Sequence, residues 1–389
     1  MRAAGIFASM ERGQVRNLIA AVACLTVFDV AMGITFPLLS LILEARGIDE
    51  HLIGLNAAMG PIGIIVAGPL VPVLARRFGT VALARGLALM TAAVLVLLRL
   101  FPDLGLWFVL RFFLGAGAGC LFAISESWIV QFAEGPYRGR IIAVYTSILS
   151  AGFAIGPFII PLTGVESWTP FILGVGLMVA AYVVMGLIGA PTQTMTEKER
   201  SSFWGFFFRA PVLLAGVGVF AILDAATLSF LPIYGLRKGL DLATASIALG
   251  VMIGGNVFLQ IPIGWLAERL PRPLVMTGCA VVAAASLFAL PAAMGTVWMW
   301  PLVMSAGAAG FGVYTVSLFI LGERFSGLSL VAGSAAFASM WGFGGIVGPP
   351  IAGNAMQVWG PDALPIGLGM LYVCYAAAVV TRAVQRAGR

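Results

Sequence analysis

The sequence predicts an all-α integral membrane protein: twelve transmembrane helices in two six-helix bundles related by a pseudo-twofold axis. Three observations predict it. Hydrophobic residues make up 61% of the 389-residue chain and charged residues only 10%, with a mean hydropathy of +1.04. A soluble domain needs roughly 25% charged residues to keep its surface wet. Apolar runs of about 20 residues, the length that crosses a hydrocarbon core, recur along the chain. The two halves also repeat each other at a fixed offset. Asp29 precedes Pro37 as Asp224 precedes Pro232 (224 − 29 = 195; 232 − 37 = 195), and Gly152…Gly156-Pro157 matches Gly344…Gly348-Pro349 (348 − 156 = 192). A duplicated half with an acid in the middle of an apolar segment is the pattern of a membrane transporter.

Hydropathy and loop punctuation place the elements in order. Residues 1–16 are mixed and basic, and the first span covers 17–44. Its Ala21-Val22-Ala23-Cys24 faintly resembles a lipoprotein cleavage site, but the apolar run continues beyond it, so the segment is read as an uncleaved span. Asp29 lies about 18 Å from the inner end of this span, near the midplane. Spans 2 and 3 cover 51–74 and 80–101. Span 4, 104–133, carries Arg111 about 10 Å inside its outer end. A charge near the bilayer centre costs about 3 kcal/mol on insertion scales, so Arg111 needs a partner or a water-filled cavity, or else snorkels outward. No strand precedes the string Gly115, Gly117, Gly119, which marks close helix packing rather than a nucleotide loop. Glu126, between Ser125 and Ser127, is closer to the cytoplasmic end and could instead tie the span to Arg138 or Arg140. Spans 5 and 6, 139–163 and 168–190, close an N-terminal bundle of residues 1–190. In span 5 Gly152, Gly156 and Pro157 combine a kink with a close approach.

The polar stretch 191–210, with Glu197-Lys198-Glu199-Arg200, is the natural linker. The C-terminal bundle, 211–389, has spans at 211–236, 242–268, 273–293, 296–324, 328–354 and 361–381. Asp224 is about 20 Å into span 7 and again near the midplane. Gly344, Gly348 and Pro349 in span 11 copy the glycine-proline step of span 5. Asn256 and Gln260 in span 8, and Tyr314 and Thr315 in span 10, are polar groups inside the membrane, each alone more often helix glue than ligand contact.

With the N-terminus inside, 17 of the 22 basic residues fall on the cytoplasmic side and only Arg46, Arg99, Arg237 and Lys238 on the outer side. The positive-inside rule therefore puts both termini in the cytoplasm. The net charge of +6 is dispersed among short loops, which excludes nucleic acid as the partner. Cys24, Cys120, Cys279 and Cys374 sit singly in four segments, so neither a disulfide framework nor a metal site is indicated. Sixteen methionines raise a copper importer as an alternative; they are scattered, and flexible apolar packing accounts for them better. No nucleophile–base pair or nucleotide motif is visible, so an enzyme is not expected, and no cofactor is.

At the end of span 8, Gly264-Trp265-Leu266-Ala267-Glu268-Arg269-Leu270-Pro271-Arg272 resembles the signature loop of the major facilitator superfamily. A carboxylate there can meet the positive end of a facing helix and a nearby arginine; Arg324 and the start of span 11 at Ser326-Gly327 are the expected partners of Glu268. The first-half copy departs from the pattern: Pro72 replaces the leading glycine and Arg76 the acid. Arg111 with its spaced glycines resembles the family's fourth-helix motif. The glycine-proline steps resemble one best known from antiporters, although Phe158-Ile159-Ile160 stands where those have further glycines. Four passages, Ile124–Trp128, Arg138–Tyr145, Ile261–Arg269 and Gly307–Tyr314, look most like bacterial permeases of the YcaD type.

The resemblance implies a monomeric secondary transporter in the bacterial inner membrane, working by alternating access. It implies that helices 1, 4, 7 and 10 line a central aqueous chamber. It places Asp29, Asp224 and Glu126 on cavity-forming helices, which makes them the expected proton-coupling groups, with Gly264, Glu268, Arg269, Arg272 and Arg324 as the gating loop. Arg111, Tyr314 and Asn256 are the candidate cavity residues for a small-molecule substrate. Burial makes a carboxyl hold its proton more tightly, so such groups can exchange protons near neutral pH. The expected function is proton-coupled transport of a small organic solute, efflux favoured over uptake. The alternative from another class is a non-transporting membrane assembly factor, which would not need paired midplane acids.

Overall fold

The computed structural model describes residues 12–132, 138–186, 210–325 and 327–387. All secondary structure in the described residues is helical: α1 (Arg12–Ala45), α2 (Glu50–Ala67), α3 (Val71–Phe78), α4 (Thr80–Leu100), α5 (Leu104–Phe132), α6 (Arg138–Thr163) and α7 (Thr169–Met185). Then follow α8 (Pro211–Arg237), α9 (Leu242–Arg269), α10 (Arg272–Ala293), α11 (Met299–Arg324), α12 (Gly327–Trp359) and α13 (Ala363–Ala387). Nine helices among these residues are long and apolar enough to cross a membrane, and Ser147–Thr163 and Thr169–Met185 are shorter apolar helices. The second expected span lies within one apolar stretch, Glu50–Phe78. A 3-10 turn at Gly68–Leu70 stands between α2 and α3 within it, where Pro69 and Pro72 remove two backbone donors within four residues.

Why each helix turns as it does follows from small residues and size. On α13, Tyr372, Tyr375, Ala376 and Val379 are buried while Met370, Val373 and Val380 are exposed. On α10, Val281, Val282 and Phe288 are likewise exposed. Lipid tails are as apolar as leucine, so nothing drives these side chains inward; it is the small and aromatic residues that fit the interior. Asp241 caps α9, its carboxylate accepting from the Ala243 and Thr244 backbone N–H groups at 3.0 and 3.2 Å. The Thr244 hydroxyl, at 2.6 Å, and then its backbone hold that carboxyl below the usual range.

Contacts group the chain into two units, 1–35 with 59–196 and 36–58 with 197–389. In the first, α4 packs on α5 and α7. In the second, α10 packs on α11 and α13, and α8 on α12. The repeat is visible in the packing itself. Gly63 of α2 and Gly115 of α5 each let backbone meet backbone, against Phe112 and Gly60. Gly255 of α9 and Gly307 of α11 do the same against Met304 and Met252, each 192 positions on (255 − 63 = 192; 307 − 115 = 192). Ser286 of α10 and Ser305 of α11 share a hydrogen bond of 2.8 Å; interhelical bonds of this kind average about 0.6 kcal/mol in membranes, so packing dominates.

The division differs from the expected 1–190 and 211–389 in one place. Residues 36–58, the end of α1 and the start of α2, belong with the second unit. The linker 191–210, apart from Ala210, lies outside the described residues. The hairpin is held by charge and by close packing. Arg237 Nε meets Glu44 Oε1 at 2.8 Å and Arg237 Nη1 meets Glu50 Oε1 at 2.5 Å, while Gly54 lies against the Pro349 carbonyl and Gly353 against that of Glu50. Beside it, Lys238 pairs with Asp362 at 3.1 Å and the Tyr234 hydroxyl donates to the same carboxylate at 3.0 Å.

Candidate functional site

The sequence puts its intramembrane acids on α1 and α8, and the structure gives each a distinct setting. In the first unit Asp29 is 7% exposed, and its Oδ2 is buried with no hydrogen-bond partner among the described residues. Among the described residues no ion pair joins Asp29 to Arg111. Arg111, on α5, is 1% exposed, so it does not snorkel outward; it is one of the largest side chains in the interior. Burying a carboxylate oxygen without a donor costs several kcal/mol if it is charged. Structural acids are normally tied down, whereas Oδ2 of this one accepts nothing from the described residues.

Asp224 of α8 is partly exposed, and the Thr227 hydroxyl returns to the Leu223 and Asp224 carbonyls at 2.8 and 3.2 Å. The carboxylate is thus left for other partners. Tyr372 of α13 lies within electrostatic range of it. The Tyr372 hydroxyl is buried without a hydrogen-bond partner among the described residues, lodged in the gap that Gly310 of α11 leaves beside Leu223.

Tyr314 belongs to a ring cluster that sequence reasoning missed. Phe220, one turn before Asp224 on α8, packs edge-on against Phe311 of α11 at 4.9 Å. Tyr314 lies 5.5 Å from Phe220 and 5.4 Å from Phe311, and Phe337 of α12 is 6.4 Å from Tyr314. Edge-on and offset rings are the favoured arrangement. Phe311 and Tyr314 remain half-buried, so the cluster keeps an open face. The only sequence signal is the spacing i, i+3 on α11 and i, i+4 to Asp224 on α8, which a chain with 26 phenylalanines shows in many places.

On α9, Gln260 Nε2 donates to the Ala308 carbonyl at 3.2 Å and Gln260 Oε1 accepts from the Thr315 hydroxyl at 2.8 Å. These two are helix glue. Asn256, one turn earlier, is different: its Oδ1 is buried and accepts nothing from the described residues. The side chain of Glu126 lies outside the described residues, as do those of Arg138 and Arg140.

The expected pair between Glu268 and Arg324 does not form. Helix α9 runs unbroken through Arg269, which leaves Gly264 inside the helix and Glu268 on an exposed face with no ion pair among the described residues. Arg269 stacks over Trp265 at 4.2 Å. Only beyond Leu270-Pro271 does the chain reach α11, and there Arg272 takes Glu323 at 2.6 Å. Of the other expected partners, Ser326 lies outside the described residues, as do the surroundings of Gly327.

The glycine-proline steps sit at equivalent contacts. Gly156 of α6 meets the backbone of Gly33 on α1, and Gly152 meets Thr26. Gly348 and Gly344 of α12 meet Ile222 and Ala221 on α8. Each step therefore presses on the helix that carries an aspartate, within a turn or two of it. Pro157 and Pro349 lie inside α6 and α12.

The family profile described as Major Facilitator Superfamily matches residues 21–349. The transporter YfkF of Bacillus subtilis, named as an uncharacterized MFS-type transporter, is 25% identical over 354 residues, 87% of this chain and 88% of that one. The similarly named YcaD of Shigella flexneri is 23% identical over 271 residues, 69% of this chain and 70% of its own. Among solved structures the fold is similar to that of the nucleoside transporter NupG, with a TM-score of 0.79 at 15% identity over 95% of this chain and 99% of that one. It is also similar to a bacterial homologue of the human lysosomal transporter Spinster, with a TM-score of 0.71 at 14% identity over 96% of each.

Proposed function

The chain belongs to the major facilitator superfamily and is a membrane transporter rather than an enzyme; on that premise we propose that it exchanges a small organic solute for protons, with efflux favoured over uptake. The observation that carries the reading is the pair of intramembrane acids 195 positions apart, of which Asp29 has a buried oxygen without a donor. A carboxyl fixed by hydrogen bonds or an ion pair would serve packing; one without them is free to take and give a proton as access alternates. The ring cluster around Tyr314, next to Asp224, supports a solute with a planar apolar part, and the Asn256 carbonyl oxygen an adjacent donor on that solute. The glycine-proline steps on α6 and α12 support efflux. One proton moving down 100 mV is worth about 2.3 kcal/mol, enough for roughly fifty-fold accumulation.

A thermal-shift screen of the purified protein against solute classes at two pH values identifies a ligand, because a molecule that binds only the folded state raises its melting point. Proteoliposomes holding a pH-sensitive dye then read solute-driven proton movement. Asp29→Asn and Asp224→Asn are each expected to abolish that movement. Undiminished proton movement in the double variant overturns the coupling assignment, and flux down only an inward solute gradient overturns efflux.

A further inference from the structure

A cavity lies in the C-terminal unit, at the start of α8 and about three turns from Asp224. Four helix ends meet there: the start of α8 with Ala210, Val212 and Leu213, the start of α10 with Pro273 and Met276, the end of α11 with Ile320, Arg324 and Phe325, and the end of α13 with Val379, Arg382 and Ala383. They enclose a cavity of about 90 Å³, several times the roughly 10–15 Å³ that admits one water. Its walls are apolar except for the two arginines. Neither Arg324 nor Arg382 has a hydrogen bond or ion pair with any described residue, and Glu323, the acid beside Arg324 in the chain, is already engaged by Arg272 at 2.6 Å. The cavity thus presents two guanidinium groups that no described residue pairs, above an apolar floor.

Its depth selects the ligand. Every lining residue is within about two turns of a helix terminus, and the ends of membrane-spanning helices lie near headgroup level. This is also the end of the bundle where the basic residues gather. Guanidinium groups bind phosphate oxygens with paired N–H donors, and basic pockets between transmembrane helices on that side suit anionic headgroups. We infer that this cavity binds the phosphate of an anionic phospholipid, with the glycerol and upper acyl chain against the apolar wall. The inference does not depend on the proton-coupling reading, since it uses neither aspartate nor the transport cycle.

The test uses the full chain purified in neutral detergent. Phosphatidylglycerol, phosphatidylcholine and glycerol 3-phosphate are added separately, and bound lipid is measured by native mass spectrometry alongside the melting temperature. Phosphatidylglycerol is expected to be retained and to raise the melting temperature, phosphatidylcholine much less. Arg324→Gln and Arg382→Gln are each expected to weaken retention about five-fold, the effect of losing one cation near an anionic surface, while Arg77→Gln, the same charge lost elsewhere, leaves it unchanged. Ala383→Trp, at an exposed position on the cavity rim, is expected to block retention with both arginines in place, which keeps the test sound if an arginine variant fails to fold. Equal retention by wild type and by both classes of variant overturns the site. An equal response to glycerol 3-phosphate overturns the lipid assignment in favour of a soluble phosphate.

Discussion

Asp29 and Asp224 are legible in the sequence alone, because an acid in an apolar run is costly and a second at the same place in the repeat is not chance. Their settings are not. Nothing in the sequence says that Asp29 Oδ2 accepts no hydrogen bond or that Tyr372 and Phe220 flank Asp224; those facts depend on which faces of α8, α11 and α13 meet. The Glu268–Arg324 pairing fails for a related reason: α9 continues through Arg269 with Glu268 on an exposed face, and it is Arg272 that pairs with Glu323. The cap of α9 gives a pH test. The folded-state pKa of Asp241 is depressed, so its stabilisation is fully present above the unfolded carboxylate range and is lost as pH falls through the folded value. Asp241→Ala is therefore expected to lower the melting temperature in detergent at pH 7, with the difference from wild type shrinking as the pH falls below about 4.

Helices are the most legible feature, since lipid leaves a spanning backbone no other way to satisfy its polar groups. The 3-10 turn between α2 and α3 is not, because Pro69 and Pro72 sit in a run apolar enough to read as one span. Glycines divide into those a helix pair needs and those it does not. A methyl group on Gly156 would strike the backbone of Gly33 on α1, whereas one on Gly176 of α7 meets nothing within 4 Å. Gly156→Ala is expected to destabilise the protein by about 1–3 kcal/mol through overpacking. Gly176→Ala is expected to stabilise it by about 0.5–1 kcal/mol through helix propensity. Thermal denaturation in detergent checks the opposite signs; equal effects would mean the α1–α6 contact is looser than described.

Orientation rests on charge alone, 17 of 22 basic residues on one side, and it can be checked directly. Loop residues at opposite ends of α9 serve, in a background without the native cysteines. Asp241→Cys is expected to react with a membrane-impermeant maleimide in intact cells, and Leu270→Cys only after permeabilisation. The reverse pattern would put the N-terminus outside. Transport itself is legible because duplication and paired acids are properties of the chain, while the solute is not, because it is chosen by the shape and open face of a ring cluster assembled from three helices.

The hairpin 36–58 has a mechanical consequence. It is anchored to Arg237 and Pro349, yet α1 leaves it at Thr35 beside Pro37, and α2 leaves it after Ala58 beside Pro61. Both exits lack a backbone donor, so each is a compliant joint in an otherwise stiff rod, and bending load concentrates there. Restoring the missing N–H with Pro37→Ala is expected to slow turnover in proteoliposomes while leaving solute affinity intact: a lever that still grips its load but no longer flexes.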